Sequence, residues 1–171
     1  TQSRSSAASD VYKRQALLMP LYNEDARSSF ARLSQIDSCL ARLGASSAFD
    51  IFVLSDSTKE DAAAAERSVF QSFRMAANSK AFYRRRTDNA ERKAGNLAEW
   101  VRRFGGAYEN MIVLDADSTM AGETLLRMVD AMERNPGVGL IQTAPVIIKA
   151  RTIFARVSQY SVRLYLSLIH I

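Results

Sequence analysis

Phe49-Asp50-Ile51-Phe52-Val53-Leu54-Ser55-Asp56 is the stretch that decides the fold. From Phe49 to Leu54 every position except Asp50 is apolar, odd and even alike. A strand with one wet face alternates polar and apolar residues, whereas a continuous apolar strand belongs to a parallel sheet covered on both faces by helices. Outward from this stretch the chain repeats the strand–helix alternation that such a sheet requires. Upstream, residues 16–21 read as a short apolar strand stopping at Pro20. Residues 25–43 read as a helix, with Phe30, Leu33, Ile36, Leu40 and Leu43 at helical spacing and Gly44 past its end. Downstream come an alanine-rich helix over 60–77, an edge-like strand over 81–85 and a helix over 94–104 closed by Gly105-Gly106. A strand over 111–114, an amphipathic helix over 124–133, a fifth strand over 138–142 and a last helix over 152–165 complete the pattern. Strands joined through helices predict an α/β fold, a three-layer sandwich with a mostly parallel sheet. In such sheets ligands bind beyond the carboxyl ends of the strands.

Composition narrows the chemistry. The chain has 171 residues and 47% hydrophobic content, which suits one globular domain. No apolar run approaches the roughly 18–20 residues that span a bilayer. A single cysteine, Cys39, leaves no internal disulfide and no multi-cysteine metal site; it falls on the apolar face of its helix and reads as packing. The single histidine, His170, lies beside the C-terminus and offers nothing to a Ser-His-Asp or zinc-histidine site. The net charge of +5 is concentrated in Arg84, Arg85, Arg86, Arg92, Lys93, Arg102 and Arg103. Aromatics are not interleaved with these residues in a base-stacking pattern, so no nucleic-acid partner is expected. Residues 1–15 are polar and without periodicity, and both they and residues 166–171 resemble translated adaptor read-through. The natural segment is therefore expected to run from about residue 16 to 165.

Several polar residues fall at the predicted carboxyl ends of strands. After the first comes Tyr22-Asn23-Glu24-Asp25. Tyr22 offers a ring to a base and Glu24 an acceptor to a base imide or ribose; equally, Asn23 and Asp25 serve as helix caps and Tyr22 as an interfacial aromatic. Asp56 follows the second strand, where it either reads a base or ribose or caps the Thr58-Lys59 turn. Lys93-Ala94-Gly95-Asn96 opens a helix: Gly95 permits close backbone approach and Lys93 neutralises a phosphate, or else Lys93 is a solvated lysine and Asn96 a polar residue of the first turn. After the fourth strand, Asp115-Ala116-Asp117 places two carboxylates on one side of the strand, where they repel each other unless a cation lies between them. Mg²⁺ or Mn²⁺, hard ions that complete their shells with phosphates and water, would fit. No G-x-G-x-x-G and no Walker loop is present, which argues against dinucleotide cofactors and P-loop phosphoryl transfer.

In this order the set Pro20-Leu21-Tyr22-Asn23-Glu24, Asp56, Lys93-Ala94-Gly95-Asn96 and Asp115-Ala116-Asp117 resembles family 2 glycosyltransferases of the GT-A fold. The resemblance covers about residues 16–165, the donor-binding half of a catalytic domain. It implies UDP-glucose as donor and a glucan as acceptor. It further implies a membrane-bound parent enzyme that transfers glucose to a growing periplasmic β-glucan from the cytoplasmic face of the bacterial inner membrane. On the family pattern Tyr22, Glu24 and Asp56 contact the uridine, Lys93 and Asn96 lie near the donor, Asp115 lies near the ribose or metal, and Asp117 binds the metal. The catalytic base of inverting members sits in a later Thr-Glu-Asp-like segment, and none follows Gln142-Thr143. The fragment is thus expected to bind UDP and metal without transferring glucose. The competing reading is a non-catalytic nucleotide-binding α/β module, in which Asp56 and Asp115 are isolated acids.

Overall fold

The computed structural model describes residues 14–143. Four strands, β1 (Gln15–Leu21), β2 (Phe49–Ser55), β3 (Lys80–Arg85) and β4 (Asn110–Val113), form one sheet in the order β3-β2-β1-β4, and every pairing is parallel. Between and after them run α1 (Ala26–Arg42), α2 (Glu60–Ala76), α3 (Arg92–Phe104) and α4 (Gly122–Arg134). The chain divides into two units, Thr1–Ala131 and Met132–Ile171. Of the second unit, residues 132–143 are described. The α/β, parallel architecture expected from the Phe49–Asp56 stretch is present. β2 is buried at all its positions, flanked by a strand on each side and helices on each face.

Both faces of the sheet are packed, by different chemistry. On one, Leu17, Met19, Leu21, Ile51, Val53 and Ile112 meet the apolar stripes of α1 and α2, including Phe30, Leu33, Phe70 and Phe73, and Leu125 and Val129 of α4. On the other, Ala16, Leu18, Phe52 and Leu54 lie under α3 and its Trp100. Phe52 is the hub of an aromatic cluster there: Trp100 stands edge-on at 5.1 Å, Tyr108 edge-on at 5.6 Å and Phe82 stacks at 4.9 Å. Asp50, the one polar residue in the apolar run, is buried on this side. It accepts a hydrogen bond from the Tyr108 hydroxyl at 2.7 Å and pairs with Arg14, which also lies over the Tyr108 ring. Burial, together with the neighbouring Asp50 carboxylate, pushes the Tyr108 hydroxyl up to about 12.

Several details differ from expectation. β1 starts at Gln15 and runs through Pro20 to Leu21. Proline is disfavoured in central strands because it lacks a donor. Here β4 pairing ends at Leu18↔Val113, so the absent N–H interrupts no ladder on that side. Residues 138–142 form no strand: Val138 and Leu140 are 42% and 80% exposed, in a stretch split by Gly139. Strand-forming residues are stabilised only against a pleated, half-buried neighbour, and residues 138–142 pair with no strand among the described residues. The predicted helix over 152–165 lies outside the described residues.

Trp100 is 1% exposed and Phe104, one turn on, is 42% exposed. Trp100→Ala is expected to lower unfolding stability by roughly 3–5 kcal/mol in urea titrations, and Phe104→Ala by much less.

Candidate functional site

Parallel pairing sends the carboxyl ends of all four strands to one edge, and the polar residues singled out above follow those ends. Beyond β1 the backbone turns at Asn23, whose φ of 54° is left-handed. Asparagine tolerates that conformation better than most residues. Its side-chain oxygen accepts from the Thr58 and Lys59 amides at 3.1 and 3.0 Å, and its own amide donates to Ser57 Oγ at 2.8 Å. Asn23 is therefore a clamp between the β1 and β2 ends rather than a helix cap. The cap of α1 is Asp25, which accepts from the Ser28 amide at 2.8 Å. With the turn held, Tyr22 projects outward, 56% exposed. Glu24 accepts a long bond from the Tyr22 amide at 3.3 Å. Although Glu24 is exposed overall, partial desolvation raises its pKa above the usual carboxylate value; Glu66 and Asp117 add to this, while the Tyr22 amide and Lys93 oppose it.

Beyond β2, Asp56 is buried and both its carboxylate oxygens are taken by Arg86, at 2.5 and 2.9 Å. This fork-to-fork pair is the strongest geometry open to an arginine and a carboxylate. Arg86 also donates to the Arg92 carbonyl at 2.6 Å, and Asn89 donates to the Asp56 carbonyl at 3.0 Å. Beneath them Glu66 of α2, fully buried, accepts from Ser57 and from the Tyr83 hydroxyl. The approach to α3 is strained. Glu91 and Arg92 both adopt left-handed φ, 58° and 51°, at a cost of about 1–2 kcal/mol each. Gly95 is forced by its surroundings: a Cβ there would meet the Ala90 carbonyl oxygen at 2.2 Å. The close backbone approach at Gly95 is thus to the chain itself.

Beyond β4, Asp115-Ala116-Asp117 lies in a turn rather than in the strand, which stops at Val113. The two acids therefore lie beyond the pleat, and both line the same cleft. Arg32 of α1 pins its middle by donating to the Ala116 carbonyl at 2.7 Å. Asp115 forms an ion pair with Lys93.

The outcome is a cleft of about 600 Å³ lined by Tyr22, Glu24, Asp56, Lys93, Asp115 and Asp117, joined by Asn89 and Arg92. Asn96 does not line this cleft. It is 1% exposed and spends its side chain on the Leu54 carbonyl, at 3.1 Å, and on Arg84. That arrangement anchors α3 to β2. Sequence reasoning missed Asn89 and Arg92, although Arg92 adjoins Lys93 and is one of the residues in which the net charge is concentrated. It also counted Arg86 only among the clustered basic residues, when the signal for its role was an aspartate after a buried strand, which needs a partner. Among the described residues no group of three or more acidic, histidine or cysteine side chains is disposed to hold a metal ion.

Arg86→Ala leaves Asp56 buried and unpaired. A loss of roughly 3–5 kcal/mol of unfolding stability is expected, measured by urea titration, because an uncompensated buried charge is costly.

The Glycosyl transferase family 2 model matches residues 16–170. The chain is 54% identical over 155 residues to Glucans biosynthesis glucosyltransferase H of Caulobacter vibrioides (strain NA1000 / CB15N), a match covering 91% of this chain and 23% of that protein. It is 52% identical over 154 residues to the protein of the same name from Xanthomonas euvesicatoria pv. vesicatoria (strain 85-10), covering 89% of this chain and 24% of that one. The chain thus spans about a quarter of the length of these curated relatives. A crystal structure of S. aureus TarS aligns with a TM-score of 0.41 at 15% identity, over 82% of this chain and 26% of that one, a likeness too slight to bear on the site. The extent of the family match and the relatives agree with the resemblance carried by the strand-end residues: the chain belongs to glycosyl transferase family 2.

Proposed function

We propose that the cleft is the donor site of a glucosyltransferase, holding UDP-glucose together with Mg²⁺ or Mn²⁺. The observation that carries this reading is convergence. Residues from the ends of β1, β2 and β4 and from the start of α3, far apart in sequence, line one cleft of nucleotide-compatible size. Tyr22 supplies a stacking face for uracil, and Glu24 accepts from the base or ribose. Asp56, with both oxygens on Arg86, contributes through its remaining lone pairs and by holding the site's shape. Lys93 lies toward the diphosphate, Asp115 toward the ribose or metal, and Asp117 toward the metal. Asn96 supports the site from beneath.

The donor set fits a shared cation better than a resident one. Two hard carboxylates are available, one of them already paired with Lys93, and a magnesium-like ion accepts one or two carboxylates when substrate phosphates and water complete its shell. When bound, the metal supplies Lewis-acid stabilisation of the charge that develops on the departing UDP. The residues of this chain bind and orient: the Arg32-pinned turn presents Asp117, and Lys93 exchanges Asp115 for phosphate oxygens as the diphosphate enters.

The relatives' name, Glucans biosynthesis glucosyltransferase H, supports glucose as the sugar and a glucan as the acceptor. We place the inverting catalytic base, the acceptor site and the membrane anchorage in the portion of such relatives that this chain does not match. The parent then works at the cytoplasmic face of the inner membrane, and this chain alone does not elongate glucan. No helix among the described residues is long and apolar enough to cross a membrane.

Mn²⁺ titration with and without UDP tests the reading against a non-catalytic nucleotide-binding module. Mn²⁺ affinity is expected to rise about tenfold at saturating UDP, a usual size for coupling between ligands, and Asp117→Ala is expected to abolish the rise. Equal affinity in both conditions overturns the metal-dependent donor site. In a second assay, radiolabelled UDP-glucose with a glucan primer is expected to yield no elongation by the 171-residue chain; elongation would overturn the assignment of the base elsewhere.

A further inference from the structure

The cleft contains two cations, and only one is engaged. Lys93 is paired with Asp115, and Asp56 is neutralised by Arg86. The Arg92 side chain lines the same cleft, is exposed, and has no ion-pair or hydrogen-bond partner among the described residues. It is also held there against its own preference. Its φ of 51° follows the 58° of Glu91, so two consecutive side-chain-bearing residues sit in the left-handed region that glycine would occupy freely. The conformation is imposed from several sides. Arg86 donates to the Arg92 carbonyl at 2.6 Å, the Arg92 amide donates to the Asn89 carbonyl at 2.9 Å, and the Gly95 amide donates to the Glu91 carbonyl at 3.2 Å. A glycine at 92 would satisfy these backbone bonds with less strain. What glycine cannot supply is a guanidinium in the cleft.

We infer that Arg92 is a positioning residue for the donor, a bidentate ligand to its diphosphate that acts beside Lys93. The inference rests on the donor-site reading above and extends it to a residue outside the ordered motif set. A diphosphate brings more negative charge than the free valence of Lys93 can meet while Asp115 competes for it. A planar guanidinium matches two phosphate oxygens at once, which an ammonium does not. Arg92 therefore separates diphosphate-bearing ligands from the nucleoside alone.

The test compares uridine, UMP and UDP binding, in Mn²⁺, by the full chain and by its Arg92→Gly, Arg92→Ala and Arg92→Lys variants, with thermal melting of each. Arg92→Gly is expected to raise Tm, since left-handed strain is relieved, and to weaken UDP about tenfold while uridine affinity stays within about twofold. Arg92→Ala weakens UDP by the same factor without the gain in Tm, and Arg92→Lys falls between wild type and Ala. UDP affinity unchanged in both the Gly and Ala variants, or uridine affinity lost in parallel with UDP, overturns the assignment while leaving the donor site standing. A wild-type chain that binds neither uridine nor UDP overturns both. The rise in Tm guards against misfolding as the cause of weaker binding in the glycine variant.

Discussion

The Asp56–Arg86 pair is the interaction on which the organised edge of this molecule depends. Asp56 follows the most buried strand and Arg86 follows the edge strand, so one bidentate contact closes the β2–β3 end of the sheet. Arg86 then reaches the Arg92 carbonyl, and Asn89 reaches back to the Asp56 carbonyl, so the same contact sets the entry to α3. A charge as buried as Asp56 is tolerated only when paired and fully hydrogen-bonded. The pair is less a source of net stability than a constraint: without Arg86, the left-handed Glu91-Arg92 turn loses one of the backbone hydrogen bonds that hold it.

Around that constraint the edge is built in layers. Glu66, buried under Ser57 and Tyr83, and Asn23, bonded to the Ser57 hydroxyl and the Thr58 and Lys59 amides, fix the β1 and β2 ends to each other. Arg32 does the same for the Asp115–Asp117 turn from α1. The exposed cleft residues, Tyr22, Glu24, Arg92, Lys93, Asp115 and Asp117, are those that face the open space, with Lys93 and Asp115 paired to each other. Supporting polar residues such as Asn23, Arg32, Asp56, Glu66 and Arg86 are wholly or partly buried and bonded to other segments, while most ligand-facing ones are exposed. This division is what a binding site on a rigid sheet requires.

Much of this was legible before any coordinates. Periodicity located α1, α2, β2 and α4 to within about two residues, because burial on one helical stripe or on both faces of a strand leaves an unmistakable pattern. The ordered motifs pointed to one sheet edge because parallel topology has only one carboxyl edge. Less legible were the roles within that edge. Asn96 and Asp56 read as ligand contacts, yet Asn96 is spent on Leu54 and Arg84, and Asp56 on Arg86. Polar residues look alike in sequence whether they face a ligand or a buried partner, and the partner lies 12 residues away in one case and 30 in the other. The strand expected over 138–142 failed for a related reason, since β propensity records fit to a neighbour and not a preference of the residues themselves.

What the sequence by itself determined is the class of fold, the family and the edge at which the polar motifs gather. Those follow from local periodicity and from the order of residues along the chain. Only the tertiary structure decided which carboxylates are already neutralised, that Asp115 and Asp117 flank a pinned residue beyond the end of β4, and that Gly95 admits the Ala90 carbonyl. It alone revealed Arg92 as a cation held in strain beside Lys93. The physical reason is that charge pairing and backbone strain depend on distances between segments, and a linear sequence holds no distances.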